Sequence, residues 1–392
     1  MGKLLFLSNS TKPPKEEYEF VGEEKLDNVS IPSVKAAGEM GIQVIIGTNR
    51  KYAKQMTCTY PVSFYNAEIY RNPFNIREVR QAYQNACAEL RSDDYTAIHC
   101  NTPIGGFVGR VAGKKCNIGK VIYTAHGFHF YKGAPLFNRT VLKWAEMLMA
   151  RWTDAIITMN QEDYEAAKKF KLRKGGKVYF VHGVGINLQG FEGLSHLRQE
   201  KRQELGLNND DIMLISMGDL VARKNYATAI RAIARANDPR LNYMICGKGE
   251  ELEKLQVLAK KLGVEKQVHF LGFRTDVKQL LTAADIFLFT TRQEGLPRSM
   301  MEAMASGLPC VASAIRGNVD LVENGVNGYT CNVDDVDGYA VAIETIVADP
   351  ELRAKMRENN LEKIKQYDVS VVEQEMQKIY TELLPVQEKV TV

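Results

Sequence analysis

Short apolar segments of strand length alternate with helical segments along almost the whole chain, and this alternation constrains the fold more than any other feature of the sequence. The first series of strand candidates is KLLFLS (3–8), IQVIIGT (42–48), AIHC (97–100), KVIYTA (120–125), DAIITMN (154–160) and KVYFVHG (177–183). The second series is IMLISMG (212–218), NYMICGKG (242–249), QVHFLGF (267–273), IFLFTT (286–291) and PCVASA (309–314). Such alternation is typical of βαβ units and parallel sheets. Because HGVGINLQGF and a polar helix separate the two series, the sequence predicts an α/β protein with two doubly wound, Rossmann-like domains.

Length and composition fit a soluble protein of this kind. The chain has 392 residues, of which 45% are hydrophobic and 25% are charged, and this length exceeds what one core normally organises. No window reaches the roughly 18 continuous apolar residues of a transmembrane helix, and the apolar part of MGKLLFLSNS is too short for a secretory signal. Seven cysteines without a CxxC pair argue against a disulfide framework or a zinc site. We therefore expect a cytoplasmic protein.

Positive charge is concentrated in the first half of the chain. Residues 1–188 carry 26 Lys and Arg against 17 Asp and Glu, and the remainder carries 25 against 30. Much of the excess lies between residues 101 and 188, where it ends in the run KKFKLRKGGK. This charge would suit anionic lipid headgroups, in a peripheral contact with the inner face of the membrane, or a phosphate-bearing acceptor. It would equally suit an ordinary solvated surface. A nucleic-acid partner is not expected, because aromatic residues are not interleaved with the basic run.

The segment TTRQEGLPRSMMEAMASGLPCV (290–311) places two carboxylates around a predicted turn and helix start. A strand precedes Glu294, and the helix after Pro297 carries Glu302. Proline suits the first turn of a helix, where its missing N–H costs nothing. The free amides near Arg298 and Ser299 would bind a phosphate group, and Glu302 would lean back toward the same ligand. The alternative is a helix whose glutamates are merely solvated.

The other strand ends of the second series also carry polar residues and glycines. Arg223 and Lys224 follow the first strand and would set positive charge against a diphosphate, although both would equally suit the surface. Gly247 follows the second strand in a GxG pattern, which is weak evidence without the full dinucleotide or P-loop motif. After the third strand, the loop of Arg274 would meet a nucleotide base, whereas Asp276 would only cap the next helix.

In the first series, His126 directly follows the buried strand KVIYTA and precedes a glycine. A lone histidine is more often structural than catalytic, but this position at a strand end favours a functional role. The carboxyl ends of both sheets would then line a cleft between the domains, which is the natural place for an active site.

Together these segments resemble the retaining family-4 glycosyltransferases, which have the two-Rossmann architecture called GT-B. EGLPRSMME is similar to the E-x7-E motif of that family, and further similarity runs through MGDLVARKN, CGKGEELEKL, VHFLGFRTDV, ADIFLFTT, SGLPCVAS and GVNGY. In the first half, YTAHGFHFYKGAP, TDAIITMNQEDYEAAKKF and VHGVGINLQGF resemble the capsular and exopolysaccharide branch. The ordered set is specific, whereas each motif alone is not.

The resemblance implies a role for each matching position. Glu294 would contact the donor sugar, and Glu302 would hold the ribose hydroxyls. The residues between them would bind the diphosphate and the sugar; these are Gly295, Leu296, Pro297, Arg298 and Ser299. Lys224 would stabilise the leaving diphosphate, and His126 would hydrogen-bond the sugar near the reacting carbon. The family uses no cofactor and no metal, because a cation and a helix dipole offset the charge that grows on the departing phosphate.

Three positions depart from the family pattern. Asp219 stands where many members have an arginine, so Arg223 would have to supply the cation. The loop SNSTKPPKEEYEF lacks the paired glycines that many members place against the diphosphate, and Ser8, Asn9 and Ser10 are only weak substitutes. Asp335-Val336-Asp337 forms the DxD metal signature of another glycosyltransferase fold, but its place before a helix favours a capping role.

The predicted domains are residues 1–188, which would bind the acceptor, and 189–369, which would bind the donor. The tail, 370–392, has apolar positions at helical spacing at Val372, Met376, Ile379 and Leu383. In the family a comparable helix crosses back to the N-terminal domain.

The leading hypothesis is transfer of a hexose or N-acetylhexosamine from a nucleotide sugar. The donor would be UDP-linked, and the acceptor would be a glycan or lipid-linked glycan in capsule or exopolysaccharide assembly. Two rivals stay open: a UDP-sugar epimerase or phosphorylase of the same architecture, and a non-catalytic subunit that binds nucleotide sugars.

Overall fold

The computed structural model describes residues 2–8, 23–25, 30–48, 55–57, 62–70 and 75–384. They form two compact units. The first contains the described residues up to Gly185 together with those from Val369 onward, and the second is Ile186–Asp368. The loop of Asn9 and Ser10, and the last eight residues of the tail, lie outside the described residues.

The first unit is built on a seven-stranded sheet in which every neighbouring pair is parallel. In chain order the strands of this unit are β1 (Lys3–Leu7), β2 (Glu23–Lys25), β3 (Gln43–Thr48), β4 (Gln55–Thr57), β5 (Val62–Asn66), β6 (Ala97–Asn101), β7 (Lys120–Ala125), β8 (Ala155–Thr158) and β9 (Lys177–Phe180). Seven of them form the sheet, and β2 and β4 lie outside it. The helices are α1 (Ile31–Glu39), α2 (Ile76–Ser92), α3 (Pro103–Lys115), α4 (Lys143–Ala150) and α5 (Gln161–Ala167). The strand order is β5-β3-β1-β6-β7-β8-β9, so the chain adds strands first on one side of β1 and then, from β6 onward, on the other. Strands β2 and β4 form a separate parallel pair.

The second unit repeats this winding in a parallel six-stranded sheet. Its strands are β10 (Ile212–Met217), β11 (Leu241–Cys246), β12 (Val268–Gly272), β13 (Ile286–Phe289), β14 (Cys310–Ser313) and β15 (Gly328–Cys331). The helices are α6 (Arg198–Glu204), α7 (Tyr226–Ala236), α8 (Leu252–Lys261), α9 (Val277–Ala283), α10 (Arg298–Ala305), α11 (Asn318–Leu321), α12 (Val336–Ala348) and α13 (Pro350–Lys363). The order β12-β11-β10-β13-β14-β15 is that of a doubly wound sheet, whose ligand edge lies between β10 and β13. The predicted fold class of two Rossmann-like domains is confirmed.

The last helix, α14 (Val369–Leu383), belongs to the first unit and packs against α1. The four apolar positions noted in the sequence are buried in it. Polar contacts add to this packing: Lys35 pairs with Glu373 at 2.5 Å, and Glu375 accepts from the ring of His182 at 2.6 Å. Among the residues that the structure describes, no helix is long and apolar enough to span a bilayer.

Two local predictions about the second unit needed correction, and a third was confirmed. Pro297 lies at the N-cap with extended ψ, one residue before α10, and its carbonyl accepts from Met300 and Met301 at 3.2 Å. Asp276 precedes α9 but makes no side-chain cap, because its carboxylate is held by Arg274 and Lys201 instead. Asp335 does cap α12, through Gly338 N at 2.9 Å.

Candidate functional site

A largely buried ion pair lies at the ligand edge of the second sheet. Lys224 comes from the loop after β10 and Glu294 from the loop after β13, and these two strands are neighbours in the sheet although about seventy residues separate the side chains. Lys224 Nζ lies 2.7 Å from Glu294 Oε1, with side chains only 10% and 13% exposed. Charges so shielded from water interact more strongly than a surface pair. Arg223 reaches the same oxygen at 3.3 Å, from a side chain that is half exposed.

The hydrogen bonds that the described residues make to the carboxylate of Glu294 all go to one of its two oxygens. Its Oε1 also accepts from Thr291 Oγ1 at 2.9 Å, so the contacts from Lys224, Arg223 and Thr291 all converge there. Within the described residues, Glu294 Oε2 makes no hydrogen bond. The buried Arg316 donates from Nε to the Glu294 carbonyl at 3.0 Å, which holds the backbone at this point. Glu294 is thus oriented through Oε1, and its Oε2 has no protein partner in the described part of the chain.

The loops that carry this pair are tied to each other by several hydrogen bonds. Thr290 Oγ1 donates to the carbonyl of Asn225 at 2.9 Å, and Arg292 N donates to that of Arg223 at 2.8 Å. The guanidinium of Arg292 pairs with Asp334 at 2.6 Å. Two loops that are joined by hydrogen bonds hold the site in a fixed geometry. Stabilisation of a developing charge requires such preorganisation.

The start of α10 lies directly after this loop, and its first amides have no acceptor within the helix. They belong to Arg298 and Ser299, the positions predicted to bind phosphate. Glu302 leans toward the same helix end, as the sequence suggested, but there its Oε1 accepts from Arg298 Nε at 2.9 Å. Gly295 and Leu296 form the turn between the ion pair and the helix. A helix start of this kind attracts anions through its N–H groups and its dipole.

The loops after β10 and β11 touch backbone to backbone at Gly247. Its φ is +157°, and a Cβ there would lie 1.9 Å from the carbonyl oxygen of Gly218. Only glycine lets these chains approach so closely. Gly247 therefore shapes the loop that leads to Lys224.

The predicted base-binding residue Arg274 is held in a charged network. Its guanidinium donates to Asp276 at 2.7 and 2.6 Å and to Glu204 at 2.9 Å. These partners lower the pKa of Asp276 strongly, the Arg274 hydrogen bond being the largest cause. The side chain thus braces its own loop against α6, and the loop's backbone stays the part suited to a base.

The acidic departures from the family pattern, Asp219 and the DxD sequence, differ in their surroundings. Asp219 is exposed, and no hydrogen bond of its carboxylate is found among the described residues. In the DxD sequence, Asp335 caps α12 while Asp337 pairs with Arg235 at 2.7 Å. The described part of the chain contains no cluster of His, Cys, Asp and Glu suited to a metal ion.

The first unit carries its own polar cluster where β6 and β7 end. His126, half-buried, lies 3.3 Å by its Nε2 from Asn101 Oδ1. Asn101 is buried, and its Nδ2 has no partner among the described residues. The next residue, Thr102, has φ of +65°, a strained value for a non-glycine residue that is typical of functional sites.

Behind this cluster lies a fully buried histidine. His99 bonds Thr124 Oγ1 through Nε2 at 2.7 Å and the Tyr380 hydroxyl through Nδ1 at 2.6 Å. Burial, and secondarily the proximity of His126, lower the pKa of His99 from 6.5 to about 3. His99 is therefore neutral at physiological pH.

Sequence reasoning missed Asn101, Thr291 and Arg316. Asn101 had a usable signal, because it directly follows the strand AIHC at a predicted ligand edge. Thr291 and Arg316 had none, since each acts through a contact with Glu294 that depends on strand order and loop path.

The second unit thus combines a largely buried cation, a carboxylate oxygen and a helix start at the switch point of a doubly wound sheet. These groups suit a ligand that carries phosphate and hydroxyl groups. Comparisons with known proteins agree. The family model described as Glycosyl transferases group 1 matches residues 198–363, and that described as Glycosyltransferase Family 4 matches 34–184.

Two relatives in particular span much of the chain. "Putative glycosyltransferase EpsD" of Bacillus subtilis is 32% identical over 356 residues, which cover 90% of this chain and 92% of the relative. The UDP-Gal:alpha-D-GlcNAc-diphosphoundecaprenol alpha-1,3-galactosyltransferase of Escherichia coli is 29% identical over 268 residues, 67% and 69% of the two chains. The chain belongs to the family-4, group 1 glycosyltransferases.

Solved structures show the same fold. The structure of HepE from Anabaena in complex with UDP matches with a TM-score of 0.75 at 21% identity, over 97% of this chain and all of that one. WaaG, a glycosyltransferase involved in lipopolysaccharide biosynthesis, matches with a TM-score of 0.70 at 17% identity, over 96% and 99%. Both are neighbours in the GT-B fold class.

Proposed function

We propose that this glycosyltransferase moves a hexose or N-acetylhexosamine from a UDP-linked donor, with retention of configuration, to a lipid-linked glycan in capsule or exopolysaccharide assembly. The names of two relatives support the substrate class. The Escherichia coli enzyme uses UDP-Gal and a diphosphoundecaprenol acceptor, and a Campylobacter jejuni relative is an N-acetylgalactosaminyltransferase with an acceptor of the same kind. The enzyme would act at the cytoplasmic face of the membrane.

The single observation that carries the proposal is the Lys224–Glu294 pair beside the start of α10. When the glycosidic bond to phosphate breaks, negative charge grows on the departing diphosphate. Lys224 and the amides of Arg298 and Ser299 are the groups that would offset this charge, so that no metal ion would be needed. An ammonium carries three donors, and Glu294 takes one of them.

The remaining positions would orient the donor. Glu294 would accept a sugar hydroxyl on its Oε2, and Glu302 would accept the ribose hydroxyls once Arg298 turns to the diphosphate. The backbone of the Arg274 loop would meet the base. His126 of the first unit would hydrogen-bond the sugar, in an orientation set by Asn101.

The test is sugar transfer by Glu294→Gln, measured with a panel of UDP-sugars and undecaprenyl-diphosphate-linked acceptors. Loss of the oriented carboxylate should lower turnover by about a hundredfold, as removal of one preorganised polar group does elsewhere. Arg240→Ala, which breaks an exposed pair with Asp238, is the matched control and should keep the wild-type rate.

Each other outcome has a definite meaning. Equal rates for Glu294→Gln and wild type would refute the assigned site. Conversion of UDP-N-acetylglucosamine in the absence of acceptor would show an epimerase instead. Anomeric coupling in the NMR spectrum of the product decides between retention and inversion.

A further inference from the structure

Six large apolar side chains of the first unit are exposed on neighbouring helical segments. Five lie on the stretch formed by residues 136–137, the π-helical turn Asn138–Leu142 and α4. The exposed fractions are 74% for Leu136, 60% for Phe137, 48% for Val141, 65% for Trp144 and 41% for Met147. The sixth, Phe107 on α3, is 45% exposed. A cluster of this size is unusual on a soluble surface and indicates an interaction site.

The stretch of chain that carries this cluster has an excess of positive charge. Between residues 95 and 153 the chain carries eight Lys and Arg but a single carboxylate, Glu146. That carboxylate is turned inward, where its Oε2 lies 2.7 Å from Nη1 of the fully buried Arg110. The exposed charge of this stretch is therefore entirely positive. A carboxylate from α5 approaches its edge, where Glu162 accepts from the Lys132 amide at 2.7 Å.

The cations lie on the helical segments that carry the apolar side chains or in the chain directly next to them. The exposed ones are Lys114, Lys115, Lys132, Arg139, Lys143 and Arg151. Arg139 and Lys143 lie between the exposed apolar residues themselves, and Lys114 stacks over the ring of Trp152 at 3.9 Å. We call residues 136–147 with Phe107 and these cations the apolar-basic face.

We infer that the apolar-basic face docks on a lipid bilayer with anionic headgroups. Apolar and indole side chains would enter the boundary between headgroups and acyl chains, while the flanking Lys and Arg meet lipid phosphates. A second copy of the chain is a poor occupant, because two such faces would bring like charges together. The inference deepens the proposed function, on which it rests, since an acceptor on a lipid carrier must be met at the membrane.

The test is partition of the full-length protein onto vesicles of phosphatidylcholine, with or without about 30 mol% phosphatidylglycerol. The wild type should bind the anionic vesicles and leave them as salt rises from about 0.05 to 0.5 M. Phe137→Ser/Trp144→Ser should lower the partition coefficient at least about tenfold. Arg139→Glu/Lys143→Glu should abolish the preference for anionic lipid.

The matched control is Val257→Ser/Val341→Ser, which removes equally exposed apolar residues from the second unit and should bind vesicles as the wild type does. Absence of wild-type binding to anionic vesicles, or equal binding by the Phe137/Trp144 variant, overturns the inference. So does a protein dimer that the Trp144 substitution dissociates. UDP binding measured on the same samples separates failure of the face from failure of the proposed function, because the donor groups lie in the second unit.

Discussion

His99 shows how a buried polar residue can make the first unit sensitive to acid. Its pKa is lowered from 6.5 to about 3 by burial and by His126. Between pH 6.5 and pH 3 this histidine is therefore protonated in the unfolded chain but neutral in the folded chain. The histidine therefore destabilises the fold as pH falls through this window and has no such effect above about 6.5.

We expect the stability of the first unit to fall between pH 6.5 and pH 3 less steeply in His99→Gln than in the wild type. Hydrogen exchange of β6 and β7 amides at several pH values measures this slope. His196→Gln, at an exposed histidine, should leave the slope unchanged. A wild-type slope in His99→Gln would show that His99 is not the acid-sensitive group.

In each unit, single candidate residues were predictable only where they follow the end of a strand. Lys224 and Glu294 of the second unit and His126 of the first each follow an apolar run, and the family resemblance implies a role for each. The Lys224–Glu294 contact itself was not predictable from pattern, because it depends on β10 and β13 being neighbours across about seventy residues of chain.

At the scale of elements, the loops that follow the strands position the site, and two of these loops approach each other closely at Gly247. Gly247→Ala would place a Cβ 1.9 Å from the carbonyl of Gly218. We expect a loss of about 1–3 kcal/mol in the unfolding free energy of the second unit, together with weaker UDP binding, because the chain toward Lys224 must shift.

Thermal unfolding with and without UDP measures both effects of Gly247→Ala. Gly38→Ala, on α1 with nothing within 4 Å of the added methyl, is the control and should be neutral or slightly stabilising. If Gly247→Ala behaves like Gly38→Ala, the close approach of the two loops does not exist in solution.

Most elements could be predicted because buried strands of parallel sheets are continuous apolar runs. β5 (VSFYN) was not predicted, because its side chains are only partly buried and its sequence has no continuous apolar run. The π-helical turn before α4 was not predicted either, because no residue pattern distinguishes it from an α-helix.

For the whole molecule, the return of α14 to the first unit links the end of the chain to its central sheet. The Tyr380 hydroxyl meets His99 Nδ1 across 281 residues of sequence. Tyr380→Phe leaves a buried ring nitrogen unpaired, which should cost about 1–3 kcal/mol of the stability of the first unit.

Denaturant unfolding of Tyr380→Phe, compared with Thr381→Ala, checks this prediction. Thr381 is the exposed neighbour. Among the described residues its hydroxyl bonds only to the Gln377 carbonyl of the same helix, so its loss should have little effect. Equal stability of the two variants would mean that the link between α14 and β6 does not contribute to the fold.

The central claim is that the switch point of the second sheet binds the diphosphate of a nucleotide sugar through Lys224. Calorimetric titration of UDP into wild type, Lys224→Met and the surface control Arg235→Met tests it most directly. The Kd for UDP should rise at least about tenfold in Lys224→Met, because a charge-assisted contact to phosphate is lost, and stay unchanged in Arg235→Met. Wild-type affinity in Lys224→Met would contradict the account.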